Sequence, residues 1–206
     1  IVLGLHHKHG MLDSFLGSFA QSILKGTHRQ MMVVKCLMPV NTMRRLMVAV
    51  PPKAEFEAGF YKWVERLARI GGQLGCRVHF WAHPDTILRI NGYLKKFHGN
   101  VRVEFSPMDD WDDLLLMSSK VAYDHLVVIV SARKGAISYQ SSFEELPTQI
   151  TKYFSNCSLM LIYPDQLGDP LENLTFSSPR GQSENPIYDH VSKWVYKWVK
   201  KGEEQE

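Results

Sequence analysis

I-V-L-G-L-H-H-K-H-G-M-L-D-S-F-L-G-S, residues 1–18, decides how the chain is read. Three β-branched or leucine residues run into Gly4, a polar loop with Gly10 follows, and Gly17-Ser18 opens an apolar-periodic segment. That order is strand, glycine-bearing loop, helix start. Helix-start N–H groups have no partner inside the helix, and glycines let a ligand approach the backbone, so such a turn suits an anion. Gly4, His7, Gly10, Gly17 and Ser18 are the candidate phosphate-loop residues. The periodic stripe Phe15, Phe19, Ser22, Ile23 and Leu24 predicts a helix over 14–25, closed by Gly26, and Met31–Cys36 reads as the next strand. A strand pair and one helix bury too little surface to stand alone.

From Arg44 a full series of elements follows. Strands are expected at 46–50, 77–81, 101–105, 126–130 and 159–163. Helices are expected at 56–74 (with Phe56, Phe60, Trp63, Leu67 and Ile70 on one face), 84–97, 109–123 and 146–154. Pro84 suits a first helical turn, and Asp109, Asp110, Asp112 and Asp113 suit the positive end of a helix dipole. Continuous apolar strands alternating with helices predict an α/β fold, with a parallel five-stranded sheet covered on both faces and a βαβ half-domain before it. The expected layout is a half-domain over 1–38, a linker over 39–43, a complete domain over 44–164, a loop over 165–185, and an amphipathic helix and tail over 186–206. That last helix carries Trp194 and Trp198 among Lys193, Lys197, Lys200 and Lys201. Its apolar side fits docking onto the domain, and its basic side fits an anionic membrane surface.

Composition narrows the classes. A net charge of +3 with no dense basic block before the C-terminus argues against nucleic acid as a partner. No run of about 18 consecutive apolar residues occurs, so no membrane span is expected within the chain. Cys36, Cys76 and Cys157 lack CxxC spacing and are read as buried free thiols. His6, His7, His9 and Asp13 lie too close together to converge on a metal, so no metal site is assigned. No nucleophile–base spacing stands out, and no catalytic site is assigned. An opening that enters a strand at once, without Met, suggests a segment of a longer protein.

The opening layout repeats. Shifted so that Ile1-Val2-Leu3 falls on Val128-Ile129-Val130, Gly4 falls on Ser131 and His7 on Lys134. Gly17-Ser18 then falls on Glu144-Glu145, and Val33-Val34 on Met160-Leu161. Ser131, Lys134, Glu144 and Glu145 therefore form a degenerate second loop, whose carboxylates would stand where an anion would bind. Ser142 and Glu145 have capping-box spacing.

Gly4, Gly17 and Ser18 match the G-x2-G-x9-G-[ST] loop of universal stress proteins, with His7 in place of the second glycine. Val50-Pro51-Pro52 departs from the acidic residue which that family tends to carry after its first strand. The strings LGLHHK (3–8), DSFLGS (13–18) and PVNTMRRLMVAVPPKAEFEAGFYKW (39–63) extend the likeness. With them, nearly the whole chain resembles the cytosolic C-terminal region of bacterial cation:proton antiporters of the monovalent cation:proton antiporter-2 family. The resemblance implies paired universal-stress-like domains behind a membrane transporter, at the cytoplasmic face of the inner membrane. It implies a non-enzymatic regulatory and dimerisation module, partnered by the transport domain and a second copy, that senses pH or an adenine nucleotide such as ATP or AMP, with no cofactor required. The alternative is a free-standing universal-stress-type nucleotide binder with weak or no ATPase activity. Fifth strands of two such domains often pair across a pseudo-twofold axis, which would set 31–36 beside 159–163.

Overall fold

A computed structural model of the chain describes residues 1–4 and 17–167, with backbone alone for 17–21. The described residues belong to one compact unit. His7, Gly10, the histidine cluster and the amphipathic helix expected over 186–206 lie outside the described residues.

Seven strands form one sheet: β1 (Val2–Gly4), β2 (Met31–Lys35), β3 (Arg45–Ala49), β4 (Arg77–Ala82), β5 (Val103–Pro107), β6 (His125–Val130) and β7 (Ser158–Tyr163). Their order across the sheet is β1-β2-β7-β6-β3-β4-β5. The five strands from β3 to β7 are mutually parallel in the order expected for a doubly wound unit. The sheet does not stop at five, however. β2 pairs antiparallel with β7 along its whole length, from Met31↔Tyr163 to Lys35↔Leu159, and β1 follows parallel to β2. The reason is edge chemistry: β7 would otherwise end the sheet with a row of unpaired N–H and C=O groups beside a buried strand.

The sequence repeat is visible in this joint. The shift that puts Ile1 on Val128 carries β2 onto β7 and α1 (Gly17–Gly26) onto α5 (Leu146–Tyr153) to within a residue or two. It also carries the pair Val33↔Leu161 onto the pair Val34↔Met160, so the register is its own image under exchange of the two copies. A local twofold therefore relates the paired strands.

Period-two alternation sends the side chains to two cores. On one face Leu46, Val48, Val78, Phe80, Val128 and Ile162 pack with α2 (Phe60–Leu74) and α3 (Pro84–Phe97), through Phe60, Trp63, Leu67, Ile90 and Leu94. On the other, Met31, Val33, Met47, Trp81, Val127, Ile129, Leu159 and Leu161 pack with α4 (Leu114–Ser118), α5 and α1, through Leu114, Met117, Leu146, Ile150, Ile23 and Leu24.

Several local expectations are corrected. Phe56 is exposed and belongs to a 3-10 turn, Ala54–Phe56, because Gly59 separates it from α2. The helix expected over 109–123 contracts to a 3-10 turn, Trp111–Asp113, and the five residues of α4, where Trp111, Leu114 and Met117 supply the buried face. Gly26 ends α1 inside the helix without a positive φ, whereas Gly75 closes α2 in the left-handed region at φ 62°. Cys36 is exposed, since β2 ends at Lys35; Cys76 and Cys157 are buried. Pro84 does open α3, with His83 Nδ1 accepting from the Asp85 N–H at 3.3 Å.

Candidate functional site

In a sheet of this order, ligands sit beyond the carboxyl ends of the strands where the order reverses. Here that point lies between β3 and β6, under the segments 50–59 and 131–140. Val50-Pro51 is buried, and Lys53, left-handed at φ 67°, turns the chain into the 3-10 turn. Glu55, buried there, accepts a 2.6 Å hydrogen bond from Thr86 Oγ1 of α3. Glu57 reaches across the crevice. One of its oxygens accepts from both the N–H and the hydroxyl of Ser138, at 2.8 and 2.9 Å. A carboxylate of the chain itself thus holds a loop N–H of the kind that would bind phosphate.

The degenerate second loop is closed in a similar way. Lys134 Nζ donates to Glu144 at 2.7 Å, and the Tyr139 hydroxyl donates to the same oxygen at 3.2 Å. These two hydrogen bonds hold the Glu144 carboxyl below its ordinary range, and Glu144 in turn raises Lys134. The expected capping box of Ser142 and Glu145 does not form: no side chain caps α5, because a 3-10 turn, Ser141–Glu144, intervenes before Leu146-Pro147. Glu144 therefore neutralises Lys134 across the loop instead of guarding a helix start. Glu145 remains exposed.

A cleft of about 490 Å³ beside this loop is lined by Lys25, His28, Arg133, Lys134 and Tyr163 among others. Most of its cationic and basic groups are committed. Arg133 donates to the carbonyls of Pro164 and Arg29 (2.8 Å to the latter), and His28 Nδ1 meets Gln166 Oε1 at 2.9 Å. Arg133 thereby ties the end of β7 to the segment entering β2. Buried Asp165 adds ion pairs to Lys62 at 3.7 Å and Arg29 at 3.9 Å. Gly59 packs against this turn so closely that a Cβ there would lie 2.5 Å from both the N and the O of Asp165. Gly59→Ala is therefore expected to lower stability by about 1–3 kcal/mol, as overpacking against rigid backbone does, in a urea titration.

The two candidate loops do not share a site. Since β2 and β7 run antiparallel, Gly4 at the end of β1 lies at the opposite end of the sheet from Ser131. Among the described residues nothing lies within 4 Å of a Cβ built on Gly4, and Gly17-Ser18 stands at the start of α1 as described. At the second loop two groups that could face a phosphate, Ser138 and Lys134, already serve Glu57 and Glu144, and buried Val50-Pro51 stands at the end of β3.

One contact pattern escapes the sequence because its members come from different strands. His79 Nε2 lies 2.9 Å from Ser106 Oγ, and His79 Nδ1 lies 3.7 Å from Glu104. This imitates a nucleophile–base–acid relay without its chemistry. The Glu104 carboxylate is beyond hydrogen-bond range, and among the described residues the buried Nδ1 has no hydrogen-bond partner.

Burial lowers the pKa of His79 and of His125, each partly offset by a neighbouring carboxylate, Glu104 and Asp124 respectively. The unfolded chain then binds more protons than the folded one below the ordinary histidine value of 6.5. Their contribution to stability is thus full above that value and is lost as the pH falls through it. Denaturant midpoints measured between pH 7.5 and 5.5 should fall, and His79→Gln should flatten the decline.

Among the described residues no cluster of His, Cys, Asp and Glu could hold a metal ion, and no helix is long and apolar enough to cross a membrane. No protein-family model matches the chain, and no curated protein sequence matches it significantly.

Proposed function

We propose that the chain is a non-enzymatic, universal-stress-like regulatory module of a membrane cation:proton antiporter, held at the cytoplasmic face of the membrane. The observation that carries this reading is the antiparallel joint between β2 and β7, whose register is its own image under exchange of the two copies. A paired architecture of this kind is suited to transmitting a change in packing between copies. A closed crevice at the switch point, with Glu57 on Ser138, favours such a scaffold over a nucleotide-processing enzyme. The mechanism is a population shift: a ligand or proton that favours one packing of the copies biases the transport domain attached to them. Homodimerisation belongs to the same reading and would be seen as a dimer in sedimentation at tens of micromolar.

The test begins with the reading frame upstream of Ile1, which should encode a series of apolar spans of about 20 residues each. In everted vesicles, cation-driven proton efflux by the complete protein should change in rate or pH dependence when Val33→Lys breaks the joint. An upstream frame without apolar spans, or efflux indifferent to that substitution, would overturn the proposal.

A further inference from the structure

The opposite end of the sheet carries a feature that the function above does not use. At the amino ends of β6, β3, β4 and β5, the chain places His125, Arg44-Arg45, Arg77 and Arg102. Arg45 is the register partner of both Arg77 and His125, and Arg102 immediately precedes Val103, the partner of Val78. These residues line an open cleft of about 720 Å³, together with Asn41, Thr42 and the Gly75 turn at the end of α2.

Like charges on directly opposed strand positions repel and destabilise a sheet unless an anion stands among them. One carboxylate serves two of the arginines: Glu104 lies 2.6 Å from Arg77 and 3.2 Å from Arg45. Asp124 lies 3.8 Å from Arg44. Arg102 donates only to the Gly75 carbonyl, and no hydrogen bond or ion pair joins it to a carboxylate among the described residues. Four guanidinium groups thus face two carboxylates. Burial holds His125 largely neutral near pH 7, and its Nδ1 accepts the Ala122 N–H at 3.1 Å, so it does not add to the imbalance.

Guanidinium forks are matched to planar or tetrahedral oxyanions, which accept paired N–H bonds. The volume falls within the range of small-molecule sites. Among the described residues no Phe, Tyr or Trp lines the cleft, and its one ring, His125, is engaged by the Ala122 N–H, so the arginines and their preference for phosphate groups dominate recognition. We propose that this cleft is a binding site for a small molecule bearing two or more phosphate groups. Arg102, held by the Gly75 carbonyl alone, and Arg44, exposed and only 3.8 Å from Asp124, are the arginines that turn to the ligand, and the pair Arg45/Arg77, fixed by Glu104, is the rigid floor. This places the ligand at the amino ends of the strands, away from the closed switch point.

Pyrophosphate is the probe, titrated calorimetrically into the whole chain at low and at physiological salt, beside flotation with phosphatidylglycerol and phosphatidylcholine vesicles. Pyrophosphate should bind, more weakly as salt rises. The double variant Arg44→Gln/Arg102→Gln should weaken it at least tenfold while melting like the parent, because both side chains sit at the surface. Arg77→Lys, which keeps the charge and loses the fork, should weaken it less. Absence of pyrophosphate binding, or binding untouched by the double variant, would overturn the proposal. So would binding confined to the anionic vesicles, which would assign the arginines to a lipid surface.

Discussion

Val33→Lys is expected to detach the opening β1–α1–β2 unit from the sheet. Val33 is 1% exposed, stands opposite Leu161, and belongs to an apolar core with Met31, Met47 and Leu159. A lysine there must lose its proton or drag water inward. Depressing its pKa by three to five units costs about 4–7 kcal/mol. A domain's whole stability is about 5–15 kcal/mol, so the joint is expected to open before the rest unfolds. Two readouts check this: a large fall in the denaturant midpoint, and new proteolytic cuts between Gln30 and Cys36 while β3–β7 stay resistant. A variant within about 0.5 kcal/mol of the parent, the range of ordinary surface changes, would mean that β2 is not buried as described.

The second large effect is expected at Glu57. Glu57→Ala removes the acceptor for two Ser138 donors, and Ser138 is buried. Hydrogen bonds to a charged group contribute about 1.5–3 kcal/mol, and stranded donors cost on the same order. The loss should appear as a lower urea midpoint with unchanged m. Glu57→Gln keeps one acceptor oxygen and should recover most of it. If Ala and Gln behave alike, the carboxylate's role at the crevice is not the one described. Loss of stability with the crevice newly open to phosphate in Glu57→Ala would show directly that the chain occupies its own anion position.

Much of this architecture is legible in the sequence, and for physical reasons. Buried parallel strands need continuous apolar runs, so Leu46–Val50 and Leu126–Val130 declare themselves, and Pro84 fixes a helix start. The internal repeat shows that β2 and β7 are equivalent strands, which makes their mutual pairing a natural expectation. Short elements are less legible. The acidic run at 109–113 suits a long helix equally well as a 3-10 turn, and tertiary packing of Trp111 decides between them. The candidate site is the least legible part. Glu57 and Ser138 are far apart in the chain, as are Asp165 and Arg29, and no local pattern announces such pairs. The arginine cleft did leave a trace, since Arg44-Arg45, Arg77 and Arg102 each stand at or just before the start of a strand. Positional coincidence across strands becomes a cluster only once register is known.

The joint between the two copies is the feature on which the account rests, and native-state hydrogen exchange measures it most directly. If β2 and β7 form one continuous, buried ladder, the hydrogen-bonded amides of Met31–Lys35 should exchange as slowly as those of Ser158–Tyr163, and Val33→Lys should release the Met31–Lys35 amides together with the β7 amides that face β2, while the β7 amides that face β6 stay protected. Met31–Lys35 exchanging at unprotected rates in the parent chain, while Ser158–Tyr163 stays protected, would contradict the account.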